Sequence, residues 1–283
     1  MVQFLLCNKQ TLINSIISET KSYNDFKDIS FDNISKVHIT IIDNAIKWLA
    51  QVVPSISNDN LVFELYIQNS VIEDLLSNDK NKFSYAKSII LHELYHIKEF
   101  TITNQIIDIM PIYNIKKDCT KSLLVNLGYT QWTEYYAHFN SAKYYCSSTN
   151  IADSIYQSEI SLTLLKQQLD NEAQVKMYEF MYDNMNKFIA NTIKLAAIYN
   201  QTHDDSFLAT IQKYNHEKLY QYHYEYIYTI ISYMDNLYQT YPSWISGKYF
   251  LEIGKKLFSI IHDYGITYST SDLSDNFLFI SSQ

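Results

Sequence analysis

Four glycines and three prolines in 283 residues leave this chain almost without the punctuation that tight turns require. Barrels and sandwiches reverse direction many times through such turns, and phosphate-cradling loops need clustered glycine. Composition therefore disfavours an all-β architecture and a P-loop or Rossmann-type nucleotide site. A mostly helical fold is expected instead. Hydrophobic residues make up 47% of the chain and charged ones 18%, the balance of a folded globular protein rather than a disordered one. The length lies between one large domain and two smaller ones, and two lobes are expected.

A formal charge of -8 gives no electrostatic basis for binding nucleic acid or an anionic membrane, since both need clustered Lys and Arg. Cys7, Cys119 and Cys146 are odd in number and scattered, a pattern of free thiols in a reducing compartment. The apolar run Val2 to Cys7 is too short for a signal-peptide core and lacks a basic flank, and no later run approaches the roughly 18 residues of a membrane span. A cytoplasmic protein is the expectation.

Along the chain, VHITIIDNAIKWLAQVV (37 to 53) begins β-like and turns into an amphipathic helix that Pro54 and the polar stretch SISNDN should stop. LVFELYIQ, Leu61 to Gln68, is the best strand, rich in β-branched and aromatic residues. A helical hint at VIEDLL follows, then a polar break at SNDKNK. From Phe83 the apolar positions Ala86, Ile89, Ile90, Leu94 and Ile97 recur at helical spacing. YNIKKDCTKS after Pro111 reads as a connector, and Gly128 with Thr130 marks the start of a helix QWTEYYAHFNSAKYYC that ends by Ser147. Three helical segments are expected after Ile151, at about 157 to 200, 205 to 240 and 244 to 263. In the first of them Met177, Phe180, Met181, Met185, Phe188, Ile189, Ile193 and Ala196 form the apolar stripe of a bundle helix. The tail from Ser269 is polar and then apolar in NFLFI, a strand or docked end.

The helix from Phe83 carries SIILHELYHIKEF, Ser88 to Phe100. Residues i and i+4 stack on one helix face, so His92 and His96 can both present imidazole nitrogen to one zinc ion. Glu93 lies about 100 degrees round the helix from His92, where a carboxylate can miss the metal and contact its bound water as a general base. The neighbours Ile89, Ile90, Leu91, Leu94, Tyr95 and Ile97 are uncharged, as a buried active-site helix requires, and Lys98 is the one residue at odds with such a face. A catalytic site needs a third protein ligand and an open fourth position. WTEYYAH (132 to 138) supplies the best candidate in Glu134, a carboxylate among aromatic and small residues that calls for something cationic opposite it. His138 shares its face and could replace Glu134 as ligand, although it is expected rather to support the site or donate to the substrate oxyanion. Tyr135 and Tyr136 are local alternatives for that donor, and His216 and His223 are distant ones.

HELYH followed by WTEYYAH resembles the zincin metallopeptidases, and among them the gluzincins, over roughly residues 60 to 146. The resemblance implies that His92, His96 and Glu134 bind zinc and that Glu93 is the base. It also implies a small sheet packed on the active-site helix, with LVFELYIQ as its edge strand. The 37 residues between His96 and Glu134 exceed the interval in thermolysin-like enzymes and look closer to clostridial neurotoxin light chains or compact bacterial regulators of the ImmA/IrrE type. Gluzincins often place an aspartate four residues after the ligand glutamate, where this chain has His138.

The expected fold class is therefore α+β and mostly helical. A small zincin-like sheet packs on the HExxH helix and the glutamate helix in residues 1–148, and a helical domain follows in 149–283. The expected function is a zinc-dependent metallopeptidase that acts on a protein or peptide substrate, with no nucleic-acid or membrane partner. The competing expectation is a non-catalytic helical interaction protein that keeps a zincin-like scaffold. Zinc-dependent hydrolysis of a non-peptide amide fits the same ligands, although neither Cys7 nor Cys119 lies in a deformylase-like motif.

Overall fold

The computed structural model describes residues 2–21, 31–40, 49–106, 120–144, 174–206 and 221–262, with isolated positions such as Tyr23 and Phe26 between them. The connector after Pro111, Cys119, Cys146, His216 and the NFLFI tail lie outside the described residues, as do the side chains of Cys7, Met177, Phe180, Met181, Met185 and His223. Described residues form a mostly helical α+β structure with one three-stranded mixed sheet. None of their helices is long and apolar enough to cross a membrane. They divide into two compact units, Met1–Gln105 with Asn140–Tyr145, and Ile106–Phe139 with Cys146–Gln283. The sequence reading divides the chain instead at 148/149.

The first unit contains α1 (Val2–Lys21), a 3-10 turn (Phe31–Asn33), β1 (Ile34–Thr40), β2 (Ala50–Ser57), β3 (Asn60–Gln68), α2 (Asn69–Leu75) and α3 (Lys80–Ile106). The sheet order is β1-β3-β2, with β1 parallel and β2 antiparallel to β3. LVFELYIQ is thus the central strand, not the edge strand that the resemblance implied. Pairing with β3 also converts residues 50–53 from the expected helix end into strand, which continues through Pro54 to Ser57, so that of SISNDN only Asn58 and Asp59 form the hairpin turn. Asn58 and Asp59 carry φ of 50 and 62°, the left-handed pair that a two-residue hairpin turn needs and that Asn and Asp tolerate.

Pro54 sits inside β2 because of the ladder's phase. The Gln68 N–H donates to the Leu49 carbonyl at 2.9 Å, which makes 49 and 68 a hydrogen-bonded pair. Stepping along an antiparallel ladder, the N–H groups of 50, 52 and 56 then point away from β3 toward the open edge. Position 54 shares that phase, so its missing donor costs no ladder bond.

Odd-numbered residues of β3 face α3, with Phe63, Leu65 and Ile67 fully buried against a helix whose Ala86, Ile90, Leu91, Leu94, Tyr95 and Ile97 are equally inaccessible. The rings of Phe63 and Phe100 lie 6.2 Å apart in a stacked arrangement. Another side of α3 meets α1 and the turn after it. Lys87 Nζ reaches Glu19 Oε1 at 2.8 Å, and Phe26 packs on Tyr95 with centroids 4.6 Å apart. Lys98, the charge out of place in the sequence, holds its ammonium 5.7 Å over the Phe26 ring.

The second unit contains most of α4 (Thr120–Ala142), with α5 (Gln174–Thr202), α6 (Gln221–Thr240) and α7 (Lys248–His262). Phe188, Ile189, Ile193 and Ala196 of α5 are buried, as the stripe predicts, and α6 buries Ile227, Ile230, Ile231 and Met234. The α4 helix does not start at Gly128 but runs through it. Gly128 is a contact residue rather than a helix signal: a Cβ there would run into the Phe250 carbonyl, and one at Gly254 into the Leu124 carbonyl. These two glycines let α4 and α7 touch backbone to backbone. Gly128→Ala gains up to about 1 kcal/mol of helix propensity yet forces the crossing apart, and overpacking of this kind costs roughly 1–3 kcal/mol or more. Urea unfolding should show a net loss of about 1–2 kcal/mol, against a gain for an alanine placed at an open helical position.

Candidate metal centre

All three motif residues lie on α3 in the first unit. The helical spacing turns His92 and His96 toward each other, with Nε2 atoms 3.0 Å apart and rings nearly perpendicular at 88°. Two nitrogens bound to a tetrahedral zinc at about 2.0–2.1 Å stand roughly 3.3 Å apart, so this convergence needs little adjustment to hold an ion. The same spacing also suits one neutral imidazole donating to the other. His96 is 6% exposed and stacks on Phe100, which in turn stacks on Phe63 of β3, so its ring plane is fixed by an aromatic run that ends in the sheet. Glu93 is 7% exposed and offers a carboxylate oxygen within 4.8 Å of both imidazoles.

Its other attachment is what the sequence does not reveal. The Val52 N–H, one of the outward-pointing amides of β2, donates to Glu93 Oε2 at 2.8 Å. Reading residues 50–53 as helix hid this donor, because a helical amide would be spent within its own turn. The apolar residues at alternate positions, Ala50, Val52, Pro54 and Ile56, with Gln51, Ser55 and Ser57 between them, were the available signal. One turn beyond His96, Glu99 is fully buried and accepts from Thr103 Oγ1 at 2.5 Å, a second carboxylate of this helix that motif reading passed over.

Glu134 and His138 belong to the second unit, on α4. Their side chains stand 3.6 Å apart, Glu134 Oε2 to His138 Nε2, and both are partly exposed. They occupy a different face of α4 from Trp132, Tyr135, Tyr136 and Phe139, which gather round Tyr238 of α6 at centroid distances of 4.2 to 6.5 Å. Tyr135 is fully buried and its hydroxyl accepts from Asn200 Nδ2 at 2.7 Å, while the same amide donates to the Ile231 carbonyl at 3.0 Å. Burial pushes the Tyr135 phenol far above its ordinary value, against the opposing effect of the Asn200 bond. Tyr136 is 5% exposed and packs on Tyr238 and Tyr241.

The cation that Glu134 calls for is present within its own unit. Lys194 of α5 is half-buried; desolvation lowers its ammonium pKa, and the Glu134 carboxylate acts in the opposite sense. Nothing in the sequence around Lys194 marks it, since a lysine at that spacing reads as a solvated helix position.

Comparison with protein-family models, with curated proteins and with solved structures yields no match for this chain.

The Lys194 shift fixes the sign of a pH effect. Its folded pKa lies below the ordinary 10.5, so between the two values the unfolded chain binds more protons and stability rises with pH. Below the folded value the penalty is fully present. Lys194→Met should therefore be more stable than the parent near pH 7, with the advantage shrinking as pH approaches 10.5, checked by urea unfolding across that range.

Proposed function

We infer that this chain is a zinc-dependent metallopeptidase of zincin type, with HELYH as its metal helix and a small sheet against that helix. The observation that carries the reading is the convergence of His92 and His96, Nε2 to Nε2 at 3.0 Å, beside the buried Glu93 carboxylate. Two neutral imidazoles and a carboxylate are the donor chemistry that zinc prefers, so the residues fit the ion. Glu134 is proposed as the third protein ligand, completing the set expected from sequence.

Zinc at such a site polarises a carbonyl and brings the pKa of a bound water to near 7. The protein's own groups do the rest. Glu93 accepts the proton of the attacking water as oxygen adds to the scissile carbonyl carbon, then delivers that proton to the departing amine as the C–N bond breaks. His138, partly exposed, is proposed as the donor to the developing oxyanion in preference to Tyr135, whose hydroxyl is engaged by Asn200. The substrate is a protein or peptide.

A second reading, a helical interaction protein that retains such a scaffold without turnover, draws on one observation. Glu134 has His138 and Lys194 as charge partners inside its own unit, which would satisfy it with no metal at all.

Elemental analysis of the purified full chain separates the two. The peptidase reading expects about one zinc per chain, abolished in His96→Ala and at least tenfold weaker in Glu134→Ala. Glu93→Gln should keep its zinc while cleavage of a mixed peptide pool, followed by mass spectrometry, falls at least a hundredfold. A chain that takes up no zinc after reloading would sink this reading. Full metal content with no difference between Glu93→Gln and the parent would favour the scaffold.

A further inference from the structure

Glu93 has two roles open to it. Its carboxylate lies within 4.8 Å of both imidazoles, close enough to become a ligand, whereas catalysis requires it to remain a base beside the ligand shell. Helical position alone does not decide between them, because a glutamate side chain has three rotatable bonds and can swing toward an ion. Something must hold the carboxylate back.

Resting on the metallopeptidase reading, we propose that the Val52 backbone N–H is the positioning group that keeps Glu93 out of the metal's coordination shell. Three features converge on it. The amide belongs to the open edge of β2, so it has no partner to give up in the ladder. The bond to Glu93 Oε2 is 2.8 Å and buried, where an amide–carboxylate bond is stronger than at a surface. β2 itself is fixed by its hairpin and by Val52 and Ala50, both buried, so the donor is anchored to the sheet rather than to a mobile loop. One carboxylate oxygen is thereby tied to the sheet.

The strand provides its own means of testing this. Pro54 already occupies the same outward phase of β2, so Val52→Pro removes the donor without removing a ladder bond, and Ile56→Pro, in the same phase at an exposed position, is the matched control. Replacing Val52 by its α-hydroxy acid, which turns the amide into an ester, deletes the N–H, keeps the side chain, weakens the Gln51 carbonyl as an acceptor, and serves if the proline variant does not fold. Zinc affinity is measured by chelator competition, and the visible spectrum of the cobalt-loaded chain reports coordination number. Both the Val52→Pro and the ester protein should bind zinc about tenfold more tightly than the parent and show a cobalt spectrum shifted toward higher coordination, with Ile56→Pro unchanged. Adding Glu93→Gln to either should abolish the gain, a coupling that a general loosening of β2 would not produce. Unchanged affinity and an unchanged cobalt spectrum in the folded ester protein would overturn the proposal while leaving the metal site standing. Failure of the parent itself to bind zinc or cobalt would remove the metallopeptidase reading beneath it.

Discussion

A carboxylate with 7% of its surface exposed is tolerable only where hydrogen-bond donors replace the water it has lost. Glu93 obtains such a donor from a strand that is distant in sequence, and the bond works only if that strand lies at the sheet edge with its even-numbered donors turned outward. Much of the first unit can be understood from this requirement. β2 must be antiparallel and peripheral, β3 must be central, and α3 must cross the sheet with its motif level with Val52. The apolar packing of Phe63, Leu65 and Ile67 against α3 supplies the free energy that holds strand and helix at that level, at roughly 1.5–3 kcal/mol for each fully buried large side chain.

The buried polar groups of α3 follow from the same arrangement. Glu93, His96, Glu99 and Thr103 are buried on α3 alongside the apolar residues Ile90, Leu91, Leu94, Tyr95 and Ile97. An ordinary core helix would replace them with Leu or Ile at no cost, and each polar group retained there needs its own hydrogen bond. Their presence together is a local departure from core composition. Such departures concentrate at sites with a chemical task, and here they lie on the same helix as the converging imidazoles.

Different parts of the molecule were legible from sequence to different depths. The HELYH helix and the strand LVFELYIQ could be read because periodicity and β-branched composition are local properties, and tertiary structure left both intact. β2 could not, since the alternation in AQVVPSIS is short, follows a segment with helical periodicity and contains a proline that reads as a stop unless the ladder phase is known. Which of two strands is central is likewise decided by pairing rather than by either strand's own residues. At the site, the imidazole pair was visible as spacing, but the partner of Glu93 is a backbone amide, and a backbone amide has no sequence signature. Lys194 escaped for a related reason: only packing takes a helical lysine partly out of water and into the field of Glu134.

The scarcity of glycine has its clearest structural meaning in the second unit. Glycine inside a helix costs about 1 kcal/mol against alanine, and this chain, with four glycines in all, places two of them opposite each other at the crossing of α4 and α7. Neither serves a turn. Their use is to bring two backbones closer than any side chain would allow, and that contact fixes the rotation of α4 about its own axis. Glu134 and His138 lie within ten residues of Gly128 on the same rigid helix, so the rotation that seats Gly128 on Phe250 also decides which face of α4 they occupy. With Trp132, Tyr135, Tyr136 and Phe139 committed to the aromatic cluster around Tyr238, the Glu134–His138 pair is left on a separate face of the helix. A residue that reads as a helix boundary in the sequence is therefore, in the folded chain, part of what orients a candidate ligand.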